Sequence, residues 1–387
     1  MRGLVFLFLA LASLGAWASV LPRAAGMPRV RVRLHAVRDV YEFKMGGTAL
    51  TSIWYRRGER PDTVESSNLH VRRSAGALQG NADGTWQSAD SIRVSAERPI
   101  STEGPLGIRR AYPGALVFVP LGSTEVLVVN EVPLEDYVAG VINAELGKYL
   151  GRELWRAQAT VARTWWAANQ RKFAPEGYQV SDDVRSQVYH GWPLDSARRF
   201  DLIEAAYSTE GLVLLRADTN AYVETLFHAN SGGELMPAAW YFKASPHLVN
   251  KPDSFSLDCP QTTWTKRISA SEWVGYFART WGVSASDSGL REAVLNLDQP
   301  HRREFVVGTA KSCGSAACAR SSGCGPPGFQ RSPKAQKSWY AAAGTGTESG
   351  FRKKEPGVCP SWATGLGPFW STTTRGRGSS PFRLSRF

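Results

Sequence analysis

A chain of 387 residues that is 43% hydrophobic and 11% aromatic is long enough for two ordinary domains with well-buried cores, which excludes general disorder. The net charge of +12 would invite a nucleic-acid partner, but residues 311–387 hold 12 Lys and Arg against 2 Asp and Glu, leaving 34 against 32 before them. With the basic character confined to the tail, no nucleic-acid partner is expected. Cys313, Cys318, Cys324 and Cys359 share that tail and only Cys259 lies upstream, so the body has no disulfide framework.

The chain opens on Met1-Arg2, an apolar run over residues 4–14, and Ala16-Trp17-Ala18, a small-x-small cleavage pattern. This predicts a secretory signal over residues 1–18 and an exported protein in the periplasm, cell wall or extracellular space. The run is too short to span a bilayer and no later stretch is long enough, so no membrane span is expected after cleavage. The alternative is an uncleaved anchor or a buried N-terminal helix.

From Val30 the residues alternate as half-buried strands do, with Val30, Val32 and Leu34 set against Arg31, Arg33 and His35. Further strands are predicted over residues 50–55, 91–96, 115–119 and 125–129, giving a β-rich N-terminal region over 27–108. Pro133 then stands before a helix whose first turn carries Glu135 and Asp136, where the positive end of the helix dipole favours carboxylates. Leu134, Tyr137, Val138, Val141 and Ile142 give that helix its apolar spacing. A second helix is predicted over 153–171, with Leu154, Ala157, Val161, Trp165 and Ala168 in one stripe, and a third over 196–209, stopped by Gly211. Residues 212–216 and 222–227 read as a hairpin around Asp218-Thr219-Asn220, followed by the polar loop Asn230-Ser231-Gly232-Gly233. Helices and strands mix without a regular βαβ alternation, so the fold class is α+β, with a second domain over 109–310.

No Walker loop, dinucleotide fingerprint, nucleophile elbow or paired-cysteine zinc site occurs, and no cofactor or metal is expected. His228, beside the glycine loop, is the one histidine in a suggestive place, and a hydrogen-bonded strand end is the favoured account of it. The informative stretch is Leu134-Glu135-Asp136-Tyr137-Val138-Ala139-Gly140-Val141, then Ala144-Glu145, then Ala157-Gln158-Ala159-Thr160-Val161-Ala162-Arg163-Thr164. It continues through Asp182-Asp183, Gln187-Val188-Tyr189 with Gly191, Glu210-Gly211, and Phe227-His228-Ala229-Asn230-Ser231-Gly232-Gly233-Glu234 to Trp240. In this order the motifs resemble the SpoIID/LytB family, that is, sporulation stage II protein D and the amidase enhancer LytB, over about residues 109–252.

The resemblance implies work on peptidoglycan glycan strands. Family members of the stage II protein D type are lytic transglycosylases of peptide-free glycan, and their catalytic glutamate matches Glu145. The chemistry is consistent: cleaving a glycosidic bond needs a proton delivered to the leaving oxygen, and a tethered sugar hydroxyl can then attack. By the same resemblance Arg163, Gln187, Tyr189, Ser231, Gly232 and Gly233 line the glycan groove. From the residues alone, Arg163 equally suits an ion pair within the helices, Gln187, Tyr189 and Ser231 suit turn and loop bonding, and Gly232-Gly233 a tight turn. Some members bind zinc through cysteines near the Gln-x-Tyr segment, where this chain has Ser181, Asp182, Asp183 and Ser186. The alternative function is a non-enzymatic, LytB-like modulator of a cell-wall amidase.

Family members end in a Gly-Tyr-Gly-His-Gly-Val-Gly motif and a Tyr-rich finish, which are absent here. Codons for that motif read one nucleotide later spell Gly-Thr-Gly-Thr-Glu-Ser-Gly-Phe, the string at residues 344–351, and a Glu-Tyr-Tyr-Tyr-Thr end shifts to Ser-Thr-Thr-Thr-Arg, the string at 371–375. A frameshift near residues 308–312 thus accounts together for the late cysteines, the basic excess and the lost periodicity, and residues 311–387 are expected to pack little. The alternative is a native disordered, basic, wall-binding tail. A second determination of the gene across the codons for Val307 to Cys313 is expected to change its length by a nucleotide; an unchanged length would remove the frameshift.

Overall fold

The computed structural model describes residues 28–298, apart from 148–150, 229, 241–244, 246–247, 260–261 and 264, together with the strand at 382–386. The expected signal over residues 1–18 lies outside the described residues. Among those described, no helix is long and apolar enough to cross a membrane.

The expected α+β class is what the chain adopts. Ten strands come before the first helix: β1 (Arg29–Arg33), β2 (Glu42–Tyr55), β3 (Asp62–Ser74), β4 (Ala77–Asn81), β5 (Trp86–Ala89), β6 (Ser91–Ser95), β7 (Ile100–Glu103), β8 (Arg109–Tyr112), β9 (Ala115–Leu121) and β10 (Glu125–Pro133). Then come α1 (Leu134–Leu146), α2 (Arg152–Asn169), β11 (Val180–Ser181), α3 (Ser196–Tyr207), β12 (Leu212–Arg216), β13 (Glu234–Leu235) and β14 (Lys251–Pro252). The described chain closes with α4 (Ala270–Trp281), α5 (Ser288–Leu295) and β15 (Phe382–Arg386).

Eleven of the strands form one sheet in the order β11-β1-β10-β9-β6-β2-β3-β4-β5, with β7 paired to β2 and β8. β2 pairs β6 through residues 51–55 and β7 through residues 44–46, and its register with β3 shifts between Gly46 and Leu50. Such an irregularity bends a long strand enough to serve two partners. The β7–β8 hairpin straddles residue 108, and β1 lies between β10 and β11. The sheet therefore has no break at the expected domain boundary of 108/109.

β10 is apolar on both faces because both are covered. Val126, Val128 and Val132 join the main core, while Leu127 and Val129 pack with Tyr178 on the other side. The strand runs straight into α1 through Pro133, whose fixed φ suits a helix start. The first nine residues of α1 are all buried, including Glu135 and Asp136, so this helix is an interior one rather than the amphipathic surface helix its spacing suggests. It packs on α2 and α3, and α2 also covers β12.

Glu135 and Asp136 do more than complement the dipole. The guanidinium of Arg163, itself fully buried on α2, donates from Nε to Glu135 Oε1 at 2.9 Å and from Nη2 to Glu135 Oε2, and also to the carbonyls of Leu212 and Ala206. One cation thus ties the start of α1, the middle of α2, the end of α3 and β12. Tyr207 of α3 donates to Asp136 Oδ1 at 3.1 Å.

Two expectations are corrected here. The hairpin expected over 212–216 and 222–227 closes only at its turn: the antiparallel bridge Leu215↔Tyr222 is flanked by the Arg216 amide donating to the Ala221 carbonyl at 2.8 Å and the Val223 amide donating to the Leu214 carbonyl at 3.1 Å, and residues 224–227 do not extend it as a strand. β12 also pairs β15, antiparallel from Leu212↔Arg386 to Arg216↔Phe382, so the end of the tail, expected to pack little, contributes a backbone ladder. The α4–α5 pair was also not anticipated. It builds a separate small cluster around Val274, Phe277, Leu290 and Val294, with Ser269 accepting from the Glu272 amide at the start of α4 and Gly282 left-handed at its end.

Arg163→Met should leave Glu135 as a buried unpaired carboxylate and cost about 3–5 kcal/mol in urea unfolding, with the double variant Glu135→Leu/Arg163→Met recovering most of it. A loss below about 1 kcal/mol, as for an exposed pair, would contradict this role.

Candidate functional site

Glu145 stands in the last turn of α1, one residue before Leu146 and the left-handed Gly147 that ends the helix. It is half-buried. The Val188 amide donates to its Oε1 at 2.8 Å. Burial raises its pKa above the ordinary glutamate value, and the Val188 bond, which favours the ionised form, only partly offsets this. The negative end of the α1 dipole acts in the same direction as burial. Its Oε2 has no hydrogen-bond partner among the described residues. A carboxyl with one oxygen anchored, the other available and an affinity for its proton above normal is equipped to donate that proton.

The residues from 181 to 191 carry Val188 past the end of α1, and this segment is bonded almost residue by residue. Ser181 Oγ donates to Asp183 Oδ1 at 2.8 Å, and Arg185 pairs with the same carboxylate. Asp182 accepts from the amides of His35 and Ala36 and from Arg110 Nη1 at 3.3 Å. Gln187 Oε1 accepts from Tyr137 Oη of α1 at 3.2 Å, and Tyr189 Oη donates to Asn130 Oδ1 of β10 at 2.8 Å. Gly191 is left-handed, and a Cβ on it would lie 2.3 Å from the Ala111 carbonyl, so glycine is required there.

The expected zinc-replacing positions are accounted for by this bonding. Asp182 and Asp183 have their carboxylates committed to amides, a hydroxyl and arginines, and Ser181 and Ser186 bond to each other. Hydroxyls and already-paired carboxylates, with no thiolate or imidazole among them, do not fit a zinc ion. Among the described residues no three His, Cys, Asp or Glu gather in a metal-binding arrangement.

The residues expected to line a glycan groove fall into three groups. Glu145 and the Gln187-Val188-Tyr189 segment meet as described, but Gln187 and Tyr189 point inward, 4% and 0% exposed. Arg163 is closed off in its pair with Glu135, so the expected glycan contact gives way to an architectural role. Ser231 is buried, with Oγ donating to Asp253 Oδ2 at 2.5 Å; Gly232 and Gly233 both take positive φ, and a Cβ on Gly233 would meet Leu257 at 2.6 Å. For these glycines the tight-turn explanation is the one with a visible cause. Asp253 feels an upward pull from burial, but the bonds from Ser231, Ser256 and the Phe255 amide, with His228 nearby, hold it below the ordinary aspartate value. His228 itself is exposed. A shallow cavity of about 450 Å³ between α2 and α3, lined by Arg152, Trp155, Phe200, Asp201 and Glu204, does not include Glu145.

Sequence reasoning missed the parts of the site that act through the main chain or from within the core. Val188 contributes only its amide. Tyr137 fits the apolar stripe of its helix, though its hydroxyl is its contribution here. Asn130 did carry a signal, as the first polar residue after the apolar run from Val126 to Val129; its Nδ2 donates to the carbonyls of Pro113 and Ala115, both at 2.9 Å.

The family model described as stage II sporulation protein matches residues 122–215, which run from the turn before β10 to β12 and include Glu145, Arg163, Gln187 and Tyr189. Stage II sporulation protein D of Bacillus subtilis (strain 168) is 29% identical over 209 residues, 51% of this chain and 59% of that protein. Its counterpart in Bacillus amyloliquefaciens is 29% identical over 170 residues, 41% of this chain and 49% of that protein. An uncharacterized protein of Brachyspira hyodysenteriae is 36% identical over 252 residues, 63% of each chain. The chain thus spans about half to three fifths of the length of these relatives.

On α1, Gly140 faces the ring of Tyr189, where a Cβ would lie 2.4 Å from the ring and 3.0 Å from the Gly191 carbonyl. Gly140→Ala is expected to cost about 1–3 kcal/mol by overpacking this contact. Chemical denaturation would check it, and a neutral or stabilising result would show that the segment is not pressed against α1.

Proposed function

We propose, from the match of residues 122–215 to the stage II sporulation protein family and the likeness to two stage II sporulation protein D chains, that this is an exported protein of the cell wall that cleaves peptide-free glycan strands of peptidoglycan as a lytic transglycosylase, with Glu145 as its acid and base. The observation that carries this reading is the state of the Glu145 carboxyl: half-buried, held on one oxygen by the Val188 amide, and with its pKa raised. The protonated Oε2 gives its proton to the glycosidic oxygen as the bond from the muramic acid anomeric carbon breaks. The ionised carboxylate then takes the proton of a hydroxyl on the same sugar, whose oxygen closes on the anomeric carbon to form an anhydro ring. No water is consumed, and the proton taken from the hydroxyl leaves Glu145 protonated for the next bond.

A second reading has its own support. With Arg163 and Tyr189 fully buried and Gln187 nearly so, Glu145 is the member of the expected groove that reaches the surface near α1, a sparse set for binding a sugar chain. On that reading the chain is a LytB-like modulator of a cell-wall amidase.

Incubation of the chain, and of a frame-restored form, with peptide-free glycan strands is expected to yield anhydro-muramic ends by mass spectrometry. Glu145→Gln should reduce them by about 10²–10⁴-fold, the range of a general acid–base group. Cleavage should decline as pH rises through the raised Glu145 pKa, because the acid is then ionised. The same linkage has a stability consequence. A carboxyl whose folded pKa lies above its unfolded one favours the folded state at low pH and loses that contribution as pH rises through the folded value, so Glu145→Gln should be no less stable than the parent at neutral pH. If no cleaved glycan forms but a cognate amidase is accelerated, the modulator reading replaces the enzyme reading.

A further inference from the structure

We infer that Tyr137, Asn130 and Tyr189 are positioning residues for Glu145: they pin the main chain on both sides of Val188, and so fix the amide that holds Oε1 of Glu145 and leaves Oε2 to the substrate. The inference rests on Glu145 being the proton donor. Its geometry is a pair of clamps. On one side of Val188, Tyr137 Oη donates to Gln187 Oε1 at 3.2 Å, and both side chains are buried. On the other side, Tyr189 Oη donates to Asn130 Oδ1 at 2.8 Å, while Asn130 uses its Nδ2 on the Pro113 and Ala115 carbonyls and so cannot turn away.

Both clamps end on rigid elements. Asn130 sits in the middle of β10, flanked by β1 and β9, and Tyr137 lies on α1 two turns before Glu145. The rings of Tyr137 and Tyr189 lie 5.2 Å apart, and Tyr189 also neighbours Tyr112 at 6.0 Å. Three fully buried tyrosines thus form one packed group under the segment. An amide held on both sides at fixed distance from a helix end is a preorganised donor, and preorganised donors lose little of their effect to rearrangement. The charged groups that Tyr137 senses from around it are Glu145 on its own helix and Asp182 on the neighbouring segment.

The effect to look for is on the carboxyl itself. With a clamp hydroxyl removed, the Val188 amide should drift from Oε1, the ionised form should lose its donor, and the Glu145 titration should move to higher pH. The test uses the full chain with ¹³C-labelled glutamate side chains, the Glu145 carboxyl signal being assigned by its absence in Glu145→Gln. Tyr137→Phe and Tyr189→Phe each remove one oxygen and keep the ring. Tyr112→Phe is the control: an equally buried tyrosine of the same group, whose hydroxyl accepts from Arg110 and does not clamp Val188.

The expected result is an upward titration shift of Glu145 in Tyr137→Phe and in Tyr189→Phe, and none in Tyr112→Phe even where all three melt earlier. In the glycan assay the first two should lose about 10- to 100-fold in kcat, as a displaced catalytic group does, and their decline with pH should move the same way. Should a tyrosine variant fold poorly, Gln187→Met breaks the Tyr137 clamp from the other side and reads out identically. An unmoved Glu145 titration in the folded clamp variants would overturn the inference, as would an equal shift in Tyr112→Phe. Clamp variants that show the shifts beside a parent chain that never cleaves glycan would instead overturn the enzyme reading alone, since the titration does not depend on turnover.

Discussion

The buried ion pair between Glu135 and Arg163 is the constraint on which the helical half of the molecule depends. A guanidinium and a carboxylate removed from water recover their lost hydration only when nearly every donor is matched, and here the donors of Arg163 reach two carboxylate oxygens and two main-chain carbonyls. Those acceptors belong to α1, α3 and the strand β12, while the cation itself comes from α2. Moving any of the four would leave a buried charge without a partner. The pair therefore fixes the direction in which α1 leaves β10, and with it everything α1 carries.

What α1 carries is a second glutamate with the opposite fate. Glu135 and Glu145 are ten positions apart on one helix, about 15 Å along its axis. The first meets an arginine at the helix's positive end; the second is half-buried at its negative end and accepts from the Val188 amide. The residue type is the same, but one carboxylate is closed in a buried ion pair while burial disfavours the charge on the other, which keeps one oxygen open. The expectation that Arg163 lines the site fails for the same reason. A fully satisfied guanidinium in the interior has nothing left with which to bind sugar.

The parts of this fold that were legible in the sequence are those where burial imposes a period. The alternation in β1, the apolar run of β10, Pro133, and the stripes of α2 and α3 all come from one-sided or two-sided contact with the core, and each begins within a residue of its expected place, although β10 runs on to Pro133, four residues past its expected end. β3 has mainly exposed residues and little alternation until Leu69 and Val71, so nothing in its composition set it apart from a loop. The pairing of β12 with β15 joins residues about 170 positions apart through main-chain bonds, and main-chain bonds leave no mark on side-chain choice. For that reason only the local hairpin with residues 222–227 is legible, and it closes just at its turn. In the site, Glu145 was legible through a motif, whereas the Val188 amide that holds it was invisible because any residue but proline supplies one.

The ordering of the 181–191 segment shows how such an amide can be placed without a dominant anchor. Asp183 folds back on Ser181 and Arg185, Asp182 reaches across to the first turn after β1 and to Arg110, Gly191 passes under the Ala111 carbonyl, and the two clamps bracket Val188. None of these contacts is strong alone, each being worth about 1 kcal/mol or a little more. They are short-range and mutually consistent, however, and they all restrict the same eleven residues, so the entropy of ordering the segment is shared among them. Asp182 keeps a raised pKa even so, because burial outweighs its two amide donors and Arg110. The segment thus contains a carboxylate whose proton affinity is set by the same competition, burial against donated hydrogen bonds, that sets it in Glu145. What separates the two is that all of the bonds to Asp182 serve to hold chain, while Glu145 has one oxygen to spare.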